Sequence, residues 1–272
     1  MVKVISFFIF TVIFMFFLLL VVWNTAVSEQ SLSEAIKRSL NRAYSVKLHG
    51  FRKGFLGEIK IAEVQIYINE KVAVVISETH GSVNLGGIFR GKILITFDGN
   101  ISAGTIRLTY EVPFLKTHAE KTLKVYVNSV ELSGLDYLKK SGIKGSGLFS
   151  GSFTLKTGNR SEGTFEVKKC RFSDFHGGGF YLPAGYITEI TARVSTDGQA
   201  VNIESVYLTG EGINCRISGR ILNDFLDVSI EVMPDGDFKD KNLLFLLKQY
   251  ELSPGIYVIK ISQKTLSLNL PF

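Results

Sequence analysis

Cysteine, methionine, histidine and proline are all scarce in this 272-residue chain, which holds two, three, four and five of them. Two cysteines are too few for the disulfide framework of a small secreted scaffold, and Cys170 and Cys215 can bond only to each other. Both fall in strand-like segments, Cys215 in phase with Ile213, Ile217 and Ile221. They read as two buried free thiols, with a disulfide as the alternative in an oxidising compartment. The histidines, His49, His80, His118 and His176, are far apart and form neither an H-x-x-x-H helix face nor a Cys/His pair at zinc spacing. Asp235, Asp237 and Asp240 have no Glu at the spacing an EF-hand needs, and read instead as the acidic start of a helix.

Recognisable catalytic signatures are equally lacking. His176-Gly177-Gly178-Gly179 matches the oxyanion stretch of some esterases, but the chain has no G-x-S-x-G nucleophile elbow. The stretch reads as a flexible turn between a strand ending near Phe172 and Phe180. The glycines from Gly142 to Gly151 form neither a P-loop nor a G-x-G-x-x-G cradle. Asn159-Arg160-Ser161 matches a glycosylation acceptor, which matters only on a eukaryotic secretory route. The net charge of +6 is spread along strand-like segments, not gathered into a basic stripe with aromatics, which argues against a nucleic-acid partner. The expectation is a protein that is not an enzyme and has no cofactor.

What the chain does have is one long apolar run. Residues 4–23 are apolar except for Ser6 and Thr11, and at ~1.5 Å per residue they span a ~30 Å hydrocarbon core. The run is longer than the ~7–15 residues of a signal peptide's apolar region and is followed by no A-x-A pattern. It ends at Trp23, suited to an interfacial aromatic belt. The expected organisation is therefore a cytoplasmic tail (1–3), a transmembrane anchor (4–23), a juxtamembrane linker with an amphipathic helix (24–44), and a β-rich domain (45–272) with candidate halves 45–134 and 135–272. Lys/Arg counts on the two sides do not decide orientation; the short leading tail favours placing the bulk of the chain outside the cytoplasm.

Ser31-Leu32-Ser33-Glu34 has capping-box spacing, and Leu32, Ala35, Ile36, Leu40 and Ala43 follow at helical period. From Ser45 the period becomes two. Ile59 and Ile61 are followed, after a phase slip that predicts a β-bulge, by Val64, Ile66 and Ile68. Ile93, Ile95 and Phe97 lead into Asp98-Gly99, a hairpin signal. A helical turn is predicted over 135–140, turns at Asp197-Gly198 and Asn223-Asp224, a helix over 240–250 stopped by Pro254-Gly255, and closing strands over 256–261 and 266–270. The fold class is mostly β: a transmembrane helix followed by an elongated, curved antiparallel sheet, either an open groove or a sandwich, with a few short helices.

Gly145 to Leu155, Gly163 to Val167, Leu182-Pro183, residues 187–194, Asp197-Gly198, Val201 to Ser205, Leu208 to Gly210, and residues 213–221 ending in Ser218-Gly219-Arg220-Ile221 make up a familiar pattern. It resembles the type II secretion system protein N family and, more loosely, the AsmA-like envelope proteins. The resemblance covers most of the chain and rests on glycine spacing and apolar alternation, with 51–114 matching only in general character. It implies a Gram-negative inner-membrane protein with its β domain in the periplasm, partnered by other secretion-system or envelope proteins and acting without catalytic residues. AsmA-like relatives imply an alternative, a lipid-binding or lipid-transfer groove for phospholipid or lipopolysaccharide. In that reading Phe165, Val167, Ile190, Ala192, Val194, Val201, Ile203, Ile213, Ile217, Val228 and Ile230 line the groove.

Overall fold

A computed structural model describes residues 28–31, 34, 44–54, 57–68, 70–84, 87, 91–113, 120–135, 145–157, 160–173, 175–177, 180–182, 184–198, 200–222 and 225–264. The apolar run 4–23 and the helical stripe from Leu32 to Ala43 lie outside them, as do His118 and the predicted strand 266–270. No helix among the described residues is long and apolar enough to cross a membrane.

The chain is mostly strand. In order these are β1 (Tyr44–His49), β2 (Arg52–Lys53), β3 (Glu58–Ile68), β4 (Lys71–Asn84), β5 (Lys92–Ile101), β6 (Gly104–Pro113), β7 (Thr122–Glu131), β8 (Gly145–Lys156) and β9 (Arg160–Phe172). There follow β10 (Phe175–Gly177), β11 (Phe180–Leu182), β12 (Ile187–Asp197), β13 (Ala200–Gly210), β14 (Ile213–Leu222), β15 (Phe225–Pro234), β16 (Glu251–Ser253) and β17 (Ile256–Lys264). All but β10 and β11 join one open antiparallel sheet in the order β1-β3-β4-β5-β6-β7-β8-β9-β12-β13-β14-β15-β17-β16, with β2 also on β3. Almost every strand therefore pairs with its neighbours in sequence, as expected when apolar alternation is broken by short turns. β7 and β8, from either side of the division at 134/135, pair from Thr122↔Lys156 to Glu131↔Leu148.

Period-two alternation gives the sheet one apolar and one polar face. The phase slip read in β3 is present: Ile61 and Val64 both pack into a cluster with Leu48 and Ile59. Its visible bulge falls on the neighbour β4, where the ladder with β5 shifts between Ser77 and His80 and Glu78 has φ 52°. A second bulge in β7 at Ser129 (φ 54°) shifts the ladder with β8, and a third in β9 at Lys169 (φ 56°) does the same on the other side.

Several local expectations are corrected. Ser28 caps the first helix, not Ser31: its Oγ accepts from the Ser31 amide at 3.1 Å, and Glu29 to Ser31 are already helical. Asp98-Gly99 is no hairpin turn. β5 continues to Ile101, and the turn is Ser102-Ala103, with φ of 41° and 61°. Two successive positive φ values make it the mirror-image turn that suits strand twist. Non-glycine residues hold it because the Ser102 carbonyl accepts from Glu131 N at 3.0 Å and the Ser102 hydroxyl donates to the Glu131 carbonyl at 2.8 Å. Gly99 instead makes room for packing, since a Cβ there would lie 2.6 Å from Ile76 Cγ2.

A 3-10 turn lies at Leu132–Gly134, after which Leu135 is extended; the rest of the turn predicted over 135–140 lies outside the described residues. His176 and Gly177 belong to a short hairpin, β10 pairing β11 from Phe175↔Leu182 to Gly177↔Phe180. The helix is Lys241–Leu247, continued by a 3-10 turn at Lys248–Tyr250, and the Asp240 side chain caps it by accepting from Leu243 N at 3.0 Å. Pro254-Gly255 does not stop that helix. It turns the β16–β17 hairpin, with Gly255 at φ 77°.

Candidate functional site

All eleven residues expected to line a groove lie on the apolar face of the sheet. Directly paired residues share a face, so ladder registers give rows of side chains running across the strands. One row is Phe165, Ala192, Val206, Ile217, Ile230 and Ile259; a second is Val167, Ile190, Leu208, Cys215, Val232 and Tyr257. A third joins Val194, Ile203, Gly219, Val228 and Ile261, and a fourth holds Val201 between Thr196 and Ile221. Ile213 is different. It is buried beneath the helix with Val232, Phe238 and Leu247, and so is covered and not offered to a ligand.

The rows extend beyond the expected set, into the first half of the sheet. The third continues from Gly163 through Phe153, Val125, Leu108, Phe97 and Gly81 to Ile59. The fourth continues through Leu155, Leu123, Tyr110 and Ile95 to Val83. The signal for these residues is the same alternation, already visible around Ile93, Ile95 and Phe97. Two glycines in the third row are roofed by aromatic rings: a Cβ on Gly81 would meet Phe97 Cε1 at 2.5 Å, and one on Gly163 would meet Phe153 Cδ1 at 2.5 Å. The row thus stays apolar where a side chain is missing. At the usual ~4.8 Å between strands, a row crossing from β3 to β17 is ~50 Å long along the sheet.

These rows are only partly covered. Among the described residues, the buried clusters draw on neighbouring strands and on the short helical segments over one end of them. Leu132 and Ala184 cover the β9–β14 end, and Phe238, Leu243, Leu244 and Leu247 cover the next stretch. At the opposite strand ends Leu155 is 45 % exposed and Val201 38 %.

The other face carries cross-strand ion pairs, Arg107–Asp98 at 2.5 Å, Arg220–Asp197 at 3.1 Å and Lys92–Glu111 among them. They are exposed and each contributes little to stability. Neither His49 nor His80 sits with Cys, Asp or Glu in a group able to hold a metal, and no such group of three occurs among the described residues.

Cys170 and Cys215 are both free. They lie on β9 and β14, three ladder steps apart, or ~14 Å at the usual spacing, beyond the ~7 Å Cα limit for a disulfide. The Cys170 thiol donates to the Val167 carbonyl at 3.3 Å. Burial pushes its pKa up, and the Glu189 carboxylate adds to the rise. Burial alone pushes Cys215 up to about 11 from 9.0. A raised thiol pKa stabilises the fold below pH 9, a contribution lost as pH rises from 9 towards 11. At pH 8 the native thiolate fraction should be about a hundredth of that in the unfolded chain. Iodoacetamide should therefore alkylate Cys215 about a hundredfold more slowly in the native protein than in denaturant, as read by peptide mass spectrometry.

Comparison of the chain with protein-family models, with curated proteins and with solved structures finds no match.

Proposed function

We propose that this is a membrane-tethered envelope protein whose open sheet receives the acyl chains of a lipid along its apolar face, acting by binding and not by catalysis. The observation that carries this reading is the continuity of apolar rows from β3 to β17, buried beside the helical segments at Val167, Leu208 and Val232 but only half-buried along the third row at Phe97, Leu108, Val125, Phe153, Val194 and Ile203. A single layer leaves such rows half in water, and each methylene laid against them and withdrawn from solvent gains ~0.8 kcal/mol. Contiguous apolar patches beyond a few hundred Å² are unusual on a soluble monomer and mark interaction sites. In this reading the sheet is an elongated, curved open groove, the apolar run 4–23 tethers it to the inner membrane of a Gram-negative cell, and it stands in the periplasm. Phospholipid or lipopolysaccharide supplies the chains.

A second reading is an auxiliary component of type II secretion, in line with the sequence resemblance. What favours it is the outer edge of β17: β16 pairs only with Ile256 and Tyr257, so from Val258 onward that edge has no ladder partner among the described residues. An extended segment of another envelope protein can add there as a strand.

The test is region-resolved. Cells expressing the full chain are fed a diazirine-bearing fatty acid, irradiated, and the crosslinked peptides mapped. Crosslinks are expected on β8 to β15, reduced about tenfold by Val194→Asp or by Ile203→Asp, since an ionised carboxylate on the face costs a bound chain more than 1.4 kcal/mol. Crosslinks confined to residues 4–23 would remove the lipid reading, and copurification with secretion-system proteins would then decide the second.

A further inference from the structure

The polar face carries a concavity of about 770 Å³ over β4 to β7. Its origin is the pair of bulges described above. β5 and β6 form an unbroken ladder from Lys92↔Pro113 to Ile101↔Gly104. The strands flanking them, β4 and β7, each carry a bulge with a non-glycine residue at positive φ, Glu78 and Ser129. Both bulges raise strong local twist beside a regular two-strand floor. L side chains rarely adopt that backbone conformation, and such outliers gather where the surrounding structure holds a site.

Most of the side chains lining the concavity are polar: Glu78, His80, Asp98, Asn100, Thr105, Arg107 and Asn128, with Tyr126 beside them. Two rows cross it: His80, Asp98, Arg107 and Tyr126 in one, Asn100, Thr105 and Asn128 in the next. Carboxylate, guanidinium and amide are planar hydrogen-bonding groups, and the strands hold them in register. Arg107 Nε donates to Asp98 Oδ1 at 2.5 Å, and Asn100 Nδ2 donates to Glu78 Oε2 at 2.8 Å. Each interaction fixes one group and leaves further donors and acceptors directed to solvent. Tyr126 presents a ring that is 45 % exposed beside them. The two carboxylates of the lining, Glu78 and Asp98, outnumber its one guanidinium, Arg107, which disfavours phosphates and carboxylates as ligands.

We infer that this concavity binds a neutral saccharide, one sugar ring stacking its C–H face on Tyr126 while its hydroxyls bond the amides and the Asp98–Arg107 pair. Planar polar groups fixed at strand spacing match vicinal hydroxyls, and a half-exposed aromatic supplies the apolar contact that a sugar face needs. The site lies on the face opposite the apolar rows and does not depend on lipid binding. The protein would hold a glycan on one side of its sheet and acyl chains on the other.

The full chain in phospholipid nanodiscs, free of sugar-headed detergent, is titrated calorimetrically with triacetylchitotriose and with maltotriose. Binding of at least one is expected with a Kd between about 10 μM and 1 mM. Tyr126→Ala and Asn100→Ala should each weaken it about tenfold, whereas Tyr126→Phe, which keeps the ring, and Tyr207→Ala, elsewhere on the polar face, should leave it within about threefold. No heat from either sugar up to about 10 mM overturns the inference. So does binding that Tyr126→Ala and Asn100→Ala leave unchanged while thermal melts match the parent.

Discussion

Gly219→Ala is expected to lower stability by ~3 kcal/mol or more, the largest effect of any single methyl group added to this sheet. Gly219 has φ 151°, outside the range L residues adopt freely. A Cβ there would lie 2.2 Å from the Asp227 carbonyl oxygen and 2.6 Å from Val228 Cα. Those are backbone atoms of the paired strand, so no rotamer change relieves the overlap; β14 and β15 must separate. The damage would fall in the middle of the apolar rows, between Ile203 and Val228. Thermal melting followed by circular dichroism should show a fall of roughly 6–12 °C. Gly236→Ala is the control, because nothing lies within 4 Å of a Cβ at that glycine. Equal melting temperatures for the two variants would show that the β14–β15 ladder yields more easily than its geometry implies.

Val167→Asp should prevent folding, while Ile203→Asp, on the same face, should not. Val167 is only 5 % exposed, in a cluster with Cys170, Ala184, Ile187 and Leu208 and with Phe149 and Phe172 packed against it. A carboxylate placed there has no cation in the cluster, and burying it unpaired costs several kcal/mol, on the scale of total domain stability. Ile203 is half-buried with Val194 and Gly219 beside it, so an aspartate can turn its carboxylate into solvent. The Val167 variant is expected in the insoluble fraction, and the Ile203 variant in the membrane fraction with a cooperative melt. Recovery of both as folded protein would mean that the β9–β12 region is as loosely covered as the centre of the face.

The two faces were legible in the sequence because alternation is strict between irregularities. Phe165/Val167, Ile190/Ala192/Val194 and Val228/Ile230 needed only period two to be placed together. Even the phase break between Val201/Ile203 and Leu208 is absorbed by a register shift, so both sides stay on one face. What alternation could not convey was contact between distant segments. The Ser102-Ala103 turn depends on Glu131, far along the chain, and Gly99 answers to Ile76 on the neighbouring strand. Ile213 has the same local pattern as Ile217, and only the position of the Lys241–Leu247 helix makes one covered and the other half-open. Whether a two-faced meander closes on itself is likewise no property of any one strand. It depends on the edges, and here the edges are β1 and the three-residue β16.

The ladder order has a consequence for how the molecule is made. A chain delivered from its N-terminus presents β3, β4, β5 and each later strand in the order in which they pair, so every hairpin can dock on an edge already in place. Contacts close over short loops, which favours rapid formation and spares the nascent chain a long wait with unpaired strands. Only the last step departs from this rule. β17 must pass β16 to reach β15, so the sheet is completed when the C-terminal hairpin turns back at Pro254-Gly255.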